Sequence, residues 1–258
     1  MNEILRLNGV SHRYHGKTGE TEAIRSMDLS VKEGEFFGIV GPSGSGKTTL
    51  LSILAGIIEP SSGRVERKIS PSEIGYMLQR DHLFEWRTIE ENVLLGLEIR
   101  KIKTPERTAY AHSLLAKYSL ADFVRKKPSE LSGGMRQRVA LIRTLALRPK
   151  LILLDEPFSA LDFQTRLNVA EDVREIITAE GVTAILVTHD ISEAIALCDR
   201  VAVLSARPAT VKKIFDNPID KSLSSIERRE HPEFAVLFKE VWKELEFTDE
   251  KEIGNDQR

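Results

Sequence analysis

Residues 41–49 read GPSGSGKTT, and residues 151–157 read LILLDEP. The first run, Gly41, Pro42, Ser43, Gly44, Ser45 and Gly46 followed by Lys47, Thr48 and Thr49, has the spacing of a phosphate loop. Its glycines let successive backbone N–H groups turn toward phosphate oxygens, and a helix starting at the lysine adds the positive end of its dipole. Lys47 can then reach the β and γ phosphates of a nucleotide, and the Thr48 hydroxyl can ligate Mg²⁺. The second run ends an apolar segment in two acids. Asp155 can hold Mg²⁺ directly or through water, and Glu156 can act as general base or orient the attacking water. Adjacent acids at a strand end can also simply cap a sheet. Gln79, whose amide can sense Mg²⁺ and water, and His189, placed to meet a γ-phosphate, complete the set. Each of these two, taken alone, serves a structural role equally well.

Residues 131–139, LSGGMRQRV, do not belong to either half of that site. Ser132, Gly133 and Gly134 open a basic, helix-like run, so a hydroxyl and glycine N–H groups stand at a helix start. That is a second anion-binding turn in a chain that already has one.

The elements that must position these residues follow from periodicity. Residues 3–14 and 22–34 carry short alternating segments and are expected to be antiparallel, half-exposed strands. Residues 35–40, EFFGIV, run straight into the glycine loop, and residues 47–56 continue as a helix: strand, loop, helix. Residues 60–63, PSSG, read as a turn, and the strand around residues 73–79 is expected to end at Gln79. Residues 88–147 have helical spacing without a convincing strand, with Thr104 as N-cap and Pro105 at the first helical position. Strand patterns return at 151–155, 183–188 and 200–205. Between the first two, Leu167, Ala170, Val173, Ile176 and Ile177 line one helix face, with Gly181 just past its end. The expected fold class is α/β, with a mainly parallel sheet core, an N-terminal antiparallel β part and an inserted helical subdomain at about 88–147. The nucleotide-binding domain is expected over 1–215. A short C-terminal extension over 216–258 carries an amphipathic helix at 233–245, formed by Phe234, Leu237, Phe238, Val241, Trp242 and Leu245, and ends in a polar, disordered tail.

The bulk properties narrow the classes. A chain of 258 residues can bury a substantial core, and its 41% hydrophobic and 29% charged residues are ordinary for a globular protein. A net charge of -2 argues against a nucleic-acid binder that works by neutralising many phosphates. The single cysteine, Cys198, allows no internal disulfide and is expected to be a small buried residue. The N-terminal stretch alternates apolar and polar residues, so no signal peptide is expected, and no segment approaches the roughly 18 apolar residues of a membrane span. A membrane role would come through a partner.

Taken in order, GPSGSGKTT, Gln79, LSGGMRQRV, LILLDEP, SALD at 159–162 and His189 resemble the ATP-binding subunit of ATP-binding cassette transporters, over residues 4 to about 210. The resemblance implies a P-loop nucleoside triphosphate hydrolase fold and ATP hydrolysis with Mg²⁺ held by Thr48, Gln79 and Asp155. It implies catalytic roles for Lys47, Gln79, Glu156 and His189, and adenine stacking on Tyr14. It also implies an answer for the second turn. Two such subunits face each other head to tail, so Ser132, Gly133 and Gly134 would bind the γ-phosphate of the partner's ATP. Asp162 would cross the interface to help set Glu156 of the opposite subunit. The further partners implied are an integral-membrane permease and, indirectly, a solute-binding protein, with this chain at the cytoplasmic face of the membrane.

Phe158 after the proline resembles importers more than exporters, and Gln79, residues 85–98, the run that begins LSGGMRQRV and residues 204–208 together are most similar to the nitrate, sulfonate and taurine importers. A thiamine-type pyrimidine precursor is a further candidate solute. Glu85, where a proline is common, and Arg80, where an acid often stands, depart from that branch in the segment expected to touch the permease. Phe84 and Trp86 would pack there against the permease, or alternatively into this chain's own core. A soluble cassette ATPase of cofactor assembly, or a nucleotide switch without turnover, are the alternative classes.

Overall fold

A computed structural model describes residues 2–16 and 19–246. Its strands in chain order are β1 (Glu3–Gly16), β2 (Gly19–Lys32), β3 (Phe36–Val40), β4 (Ser62–Arg67), β5 (Ile74–Met77), β6 (Leu151–Asp155), β7 (Thr183–Thr188), β8 (Arg200–Leu204) and β9 (Val211–Asp216). Its α-helices are α1 (Lys47–Leu54), α2 (Ile89–Ile99), α3 (Pro105–Lys117), α4 (Gly133–Leu145), α5 (Phe163–Ala179), α6 (Ile191–Leu197), α7 (Ser225–Glu230) and α8 (Pro232–Glu246). The chain forms two compact units, Met1–Pro71 with Thr183–Arg258, and Ser72–Val182. The polar tail expected beyond α8 lies outside the described residues.

In the first unit, β1 pairs antiparallel with both β2 and β4. Strand β3 runs parallel to β7 and β8, and β9 closes antiparallel on β8. All residues of β3 and β7 are buried, as expected of strands covered on both faces. Cys198 is fully buried and lies 2.9 Å from where a Cβ on Gly38 of β3 would stand. The expected turn over 60–63 is shorter than its composition suggests. Strand β4 already begins at Ser62, because pairing with β1 from Ser11 outweighs the turn chemistry of Ser-Gly. Strand β9 and helix α7 were not anticipated. The first has no clean alternation, and the second is one short turn-and-a-half with a Ser224–Glu227 capping box.

Helix α8 forms over the expected stripe, but only Leu237 and Val241 are buried. Trp242 stays 49% exposed.

In the second unit, β5 and β6 form a parallel pair. Strand β5 stops at Met77, so Gln79 lies beyond the strand end and not at it. Helices α2, α3 and α4 follow with no strand between Thr88 and Leu147. Their starts are locally encoded: Thr88 and Glu91 form a capping box on α2, and Thr104 caps α3 with Pro105 in its first turn. Helix α5 starts at the cap Asp162 and ends before Gly181, whose φ of 66° matches a left-handed C′ residue. Fully buried Asn92 pins the entry to α2. It accepts from the Phe84 N–H at 2.7 Å and donates to the carbonyls of Phe84, Arg87 and Thr88.

Candidate functional site

The first unit carries the phosphate loop. Strand β3 delivers the chain at Val40 and α1 takes it up at Lys47. Gly46 between them sits at φ 109°, and a Cβ there would stand 2.9 Å from the Ala23 carbonyl oxygen, so only glycine fits. Lys47 is 6% exposed, and its Nζ donates to the carbonyls of Gly41 and Pro42 at 2.9 Å each. The ammonium therefore lies across the loop, bonded to the carbonyls of its first two residues. Ser45 is buried, and its Oγ makes no hydrogen bond among the described residues. A buried hydroxyl left so is costly unless a ligand oxygen pairs with it. A buried cation, an unpaired hydroxyl and a left-handed glycine turn at a helix start fit a polyphosphate.

Thr48 is exposed and Thr49 half-buried on α1. The Tyr14 hydroxyl lies 3.1 Å from Thr49 Oγ1, its ring 46% exposed and set edge-on to His12 at 4.7 Å. The side chain expected to stack on adenine is thus tied to the loop's helix. His189 follows β7 directly and is exposed. Its neighbour Asp190 caps α6 through the N–H groups of Ser192 and Glu193, and the Asp190 N–H donates to Thr188 Oγ1. One cavity is lined by both Gly41–Ser43 and His189, so the structure brings the loop's first residues and His189 together.

The second unit carries the acids. Asp155, 8% exposed, ends β6, and the Tyr76 hydroxyl donates to its Oδ2 at 3.4 Å. Glu156 has φ 45°, a left-handed conformation that costs a non-glycine residue on the order of 1–3 kcal/mol. The turn that holds it is cross-braced. Both the N–H and the hydroxyl of Ser159 donate to the Glu156 carbonyl, at 3.2 and 3.0 Å, and fully buried Phe158 anchors the bend. Gln79 Nε2 donates to Ser159 Oγ at 3.1 Å. Gln79 and Glu156 are therefore linked through Ser159, a residue whose bridging role no spacing rule would have singled out.

The second glycine turn is an orderly helix start. Ser132 caps α4, its Oγ accepting from Met135 N at 3.4 Å, and Gly133 and Gly134 are the first helical residues. A Cβ on Gly134 would stand 2.8 Å from Val169 Cγ2 of α5, so this glycine also serves close helix packing. The basic run of α4 is engaged rather than free. Arg136 donates twice to the Asp81 carboxylate, at 2.9 and 3.2 Å, and reaches Glu85 at 2.8 Å. Arg143 donates to the carbonyls of Asp81 and His82. Burial pushes the Asp81 carboxyl up, but the hydrogen bonds from Arg136 and the Leu83 N–H outweigh it and hold it below its ordinary value. Glu85 and Asp81 thus fasten the segment after Gln79 to the helix that begins at Ser132. Asp162 caps α5, accepting from Thr165 N at 3.0 Å, and that bonding to Thr165 holds its carboxyl low.

Phe84 is half-buried and Trp86 is 73% exposed, with ring centroids 4.7 Å apart. Trp86 therefore does not belong to this chain's core. Among the described residues no cluster of three or more His, Cys, Asp or Glu could hold a metal by itself. The hydroxyl of Thr48, the amide of Gln79 and the carboxylate of Asp155 are oxygen donors of the kind Mg²⁺ takes when phosphate and water supply its other ligands. No helix of the described residues is long and apolar enough to cross a membrane.

Comparison with known proteins gives a consistent result. The family described as ABC transporter matches residues 24–159. The chain is 49% identical over 248 residues to the ABC transporter ATP-binding protein YtlC of Bacillus subtilis, covering 94% of this chain and 95% of that protein. It is 40% identical over 216 residues to the nitrate import ATP-binding protein NrtD of Synechocystis sp., covering 82% and 80%. A solved dimeric structure of a bacterial ABC transporter cassette matches with a TM-score of 0.70 at 31% identity, covering 84% of this chain and 100% of that one.

Proposed function

The chain belongs to the ABC transporter family as an ATP-binding, ATP-hydrolysing subunit with a P-loop fold, and from that premise we propose that it powers an importer of a small solute such as nitrate, a sulfonate or taurine. It works as a head-to-tail pair of identical subunits docked on a permease at the cytoplasmic face of the membrane, with a solute-binding protein as the indirect partner. Similarity to a nitrate import subunit supports the solute class. Exposed Trp86, beside a segment fastened to α4, supports a docking surface for the permease.

In this reading the N–H groups of residues 41–49 and the Lys47 ammonium bind the triphosphate, and Tyr14 stacks on the adenine. Thr48, Gln79 and Asp155 hold Mg²⁺, which when bound neutralises charge on the phosphate oxygens. Glu156 takes the proton of the attacking water, Gln79 orients that water, and His189 contacts the γ-phosphate. Ser132, Gly133 and Gly134 close over the partner's ATP, and Asp162 helps set the partner's Glu156. The observation that carries hydrolysis is the Glu156 turn: a strained carboxylate directly after Asp155, braced through Ser159 to Gln79.

Glu156→Gln tests it. The variant should bind ATP as the parent does, lose about 10²-fold or more in turnover, and accumulate as an ATP-bound dimer in gel filtration. Phosphate release near the parent rate would remove Glu156 from the role.

A further inference from the structure

A cavity of about 470 Å³ opens in the first unit between the phosphate loop, the start of α6 and the C-terminal helix α8. Its apolar wall is Pro42, Ile191, Phe238, Trp242 and Leu245. Phe238 and Trp242, one helical turn apart, stack with centroids 6.1 Å apart and planes at 17°. The helix that builds this wall buries only Leu237 and Val241, so its aromatic pair faces space that the described chain leaves open. Its lining also includes Gly41, Ser43 and His189, which the proposed function places at the phosphate site. The cavity is therefore continuous with the surface that a second subunit must meet in the head-to-tail pair.

The second unit offers a matching feature. Phe163 is the first residue of α5, directly after the cap Asp162, and is 73% exposed. A phenyl ring held in water at a rigid helix start is apolar area ready for burial, and its position is fixed by the cap beside it. In the proposed pairing Asp162 crosses toward the partner, and the residue after it must follow.

The geometry points to Phe163 of one copy inserting into the cavity of a second copy, against Phe238 and Trp242 of α8. The C-terminal helix is then a clasp: it adds to the ATP-bound pair an aromatic contact made only when the subunits close. The inference rests on the head-to-tail pairing proposed above, and it commits the cavity to one occupant, a second copy of this chain. The cavity has room for one phenyl side chain, and its apolar wall of two aromatic rings, a proline and two aliphatic residues suits a ring, with His189, Asp190 and Glu246 among the polar residues that also line it.

The test places the photoreactive analogue p-benzoylphenylalanine at position 163 in full-length protein carrying Glu156→Gln. With ATP and Mg²⁺, irradiation should give a covalent dimer whose cross-linked peptide comes from residues 232–246 of the other chain. Cross-links elsewhere in the dimer, or within the same chain, overturn the clasp. The Glu156→Gln protein without the photoreactive residue is the control for the pairing. If that protein fails to dimerise with ATP, the pairing itself has failed, whereas a dimer with misplaced cross-links rejects only the clasp.

A second measurement is independent of the label. Phe163→Ala and Trp242→Ala, both at exposed positions, should each raise the dissociation constant of the ATP-bound dimer about tenfold. The double variant should show about the same tenfold, because either change empties the same contact. A loss near a hundredfold in the double variant means independent roles and refutes the contact.

Discussion

Gly134→Ala separates the two demands made on the second glycine turn. The new Cβ would lie 2.8 Å from Val169 Cγ2 and 3.4 Å from Thr165 Cγ2. Carbon atoms settle at about 3.5–4.0 Å, so the first contact is short by roughly 0.7 Å. Val169 is 3% exposed and β-branched, with one strongly preferred rotamer in a helix, so it cannot turn away. Either α4 or α5 must shift, at an overpacking cost of about 1–3 kcal/mol. Replacing a helical glycine by alanine returns up to about 1 kcal/mol, less in a first turn, which leaves a net loss of about 0–3 kcal/mol. Val169→Ala alone removes two buried carbons, worth about 2 kcal/mol. Combined with Gly134→Ala it should cost less, since the vacated space takes the new methyl. A double-mutant cycle by urea unfolding should therefore show a favourable coupling of about 1–2 kcal/mol. ATPase activity should fall in Gly134→Ala and recover substantially in the double variant, because alanine keeps the N–H that the anion site needs. Coupling within about 0.5 kcal/mol of zero would refute the packing argument. Recovered stability without recovered activity would assign Gly134 to close approach of the phosphate instead.

Three further outcomes are expected. A cross-linked heterodimer of one Ser132→Arg chain and one Lys47→Ala chain should trap one nucleotide through gel filtration, because the trans arrangement puts both lesions in one composite site; an intact mixed dimer that traps none counts against it. Trp86→Glu should cut solute uptake and permease-coupled ATPase while the isolated subunit keeps its basal rate and melting temperature, since Trp86 is 73% exposed; a large drop in melting temperature would return Trp86 to the core. Burial pushes the Glu180 carboxyl up, but hydrogen bonds from Lys117, Tyr118 and Tyr110 outweigh it and hold it below its ordinary value. Its contribution to stability is therefore full above the unfolded pKa of about 4.3 and is lost as pH falls through the lower folded value, so Glu180→Gln should flatten the acid limb of a stability–pH curve; an unchanged acid limb would show that the cluster does not act.

Much of the site was legible because its parts are local. The phosphate loop, the acids at the end of β6, and the caps Thr104 and Asp162 each act within a few residues of sequence, where spacing alone sets geometry. What spacing missed was joined by tertiary contact. Ser159 links Gln79 to the Glu156 turn across 80 residues of chain, and Arg136 reaches Asp81 across 55. Asn92 looks like an ordinary polar residue in an apolar helix, yet it is fully buried and holds four backbone groups of the preceding loop. The end of β5 was misplaced by two residues for a related reason. Pairing with β6 runs from Ile74 to Met77 and stops, and nothing in the character of Leu78 or Gln79 announces where a partner strand runs out.

Local legibility also explains why cis and trans roles could not be told apart from residue types alone. Ser132 and Asp162 each satisfy an N-cap in their own chain, at 3.4 Å and 3.0 Å, and capping by itself is a sufficient reason for a serine or an aspartate there. Yet a cap uses only part of each group. The Ser132 hydroxyl accepts from Met135 with one lone pair and keeps an O–H donor, and the two Asp162 carboxylate oxygens together have more lone pairs than the bond from Thr165 uses. The same atoms can therefore fix the start of a helix and present that start to a neighbour. Capping would make the proposed trans contact stiffer, because the groups that would meet the second copy are already ordered before it arrives. A stiff edge is what a phosphate site shared between two chains requires, and at Phe163, one residue past the Asp162 cap, the same stiffness holds an apolar ring out in water.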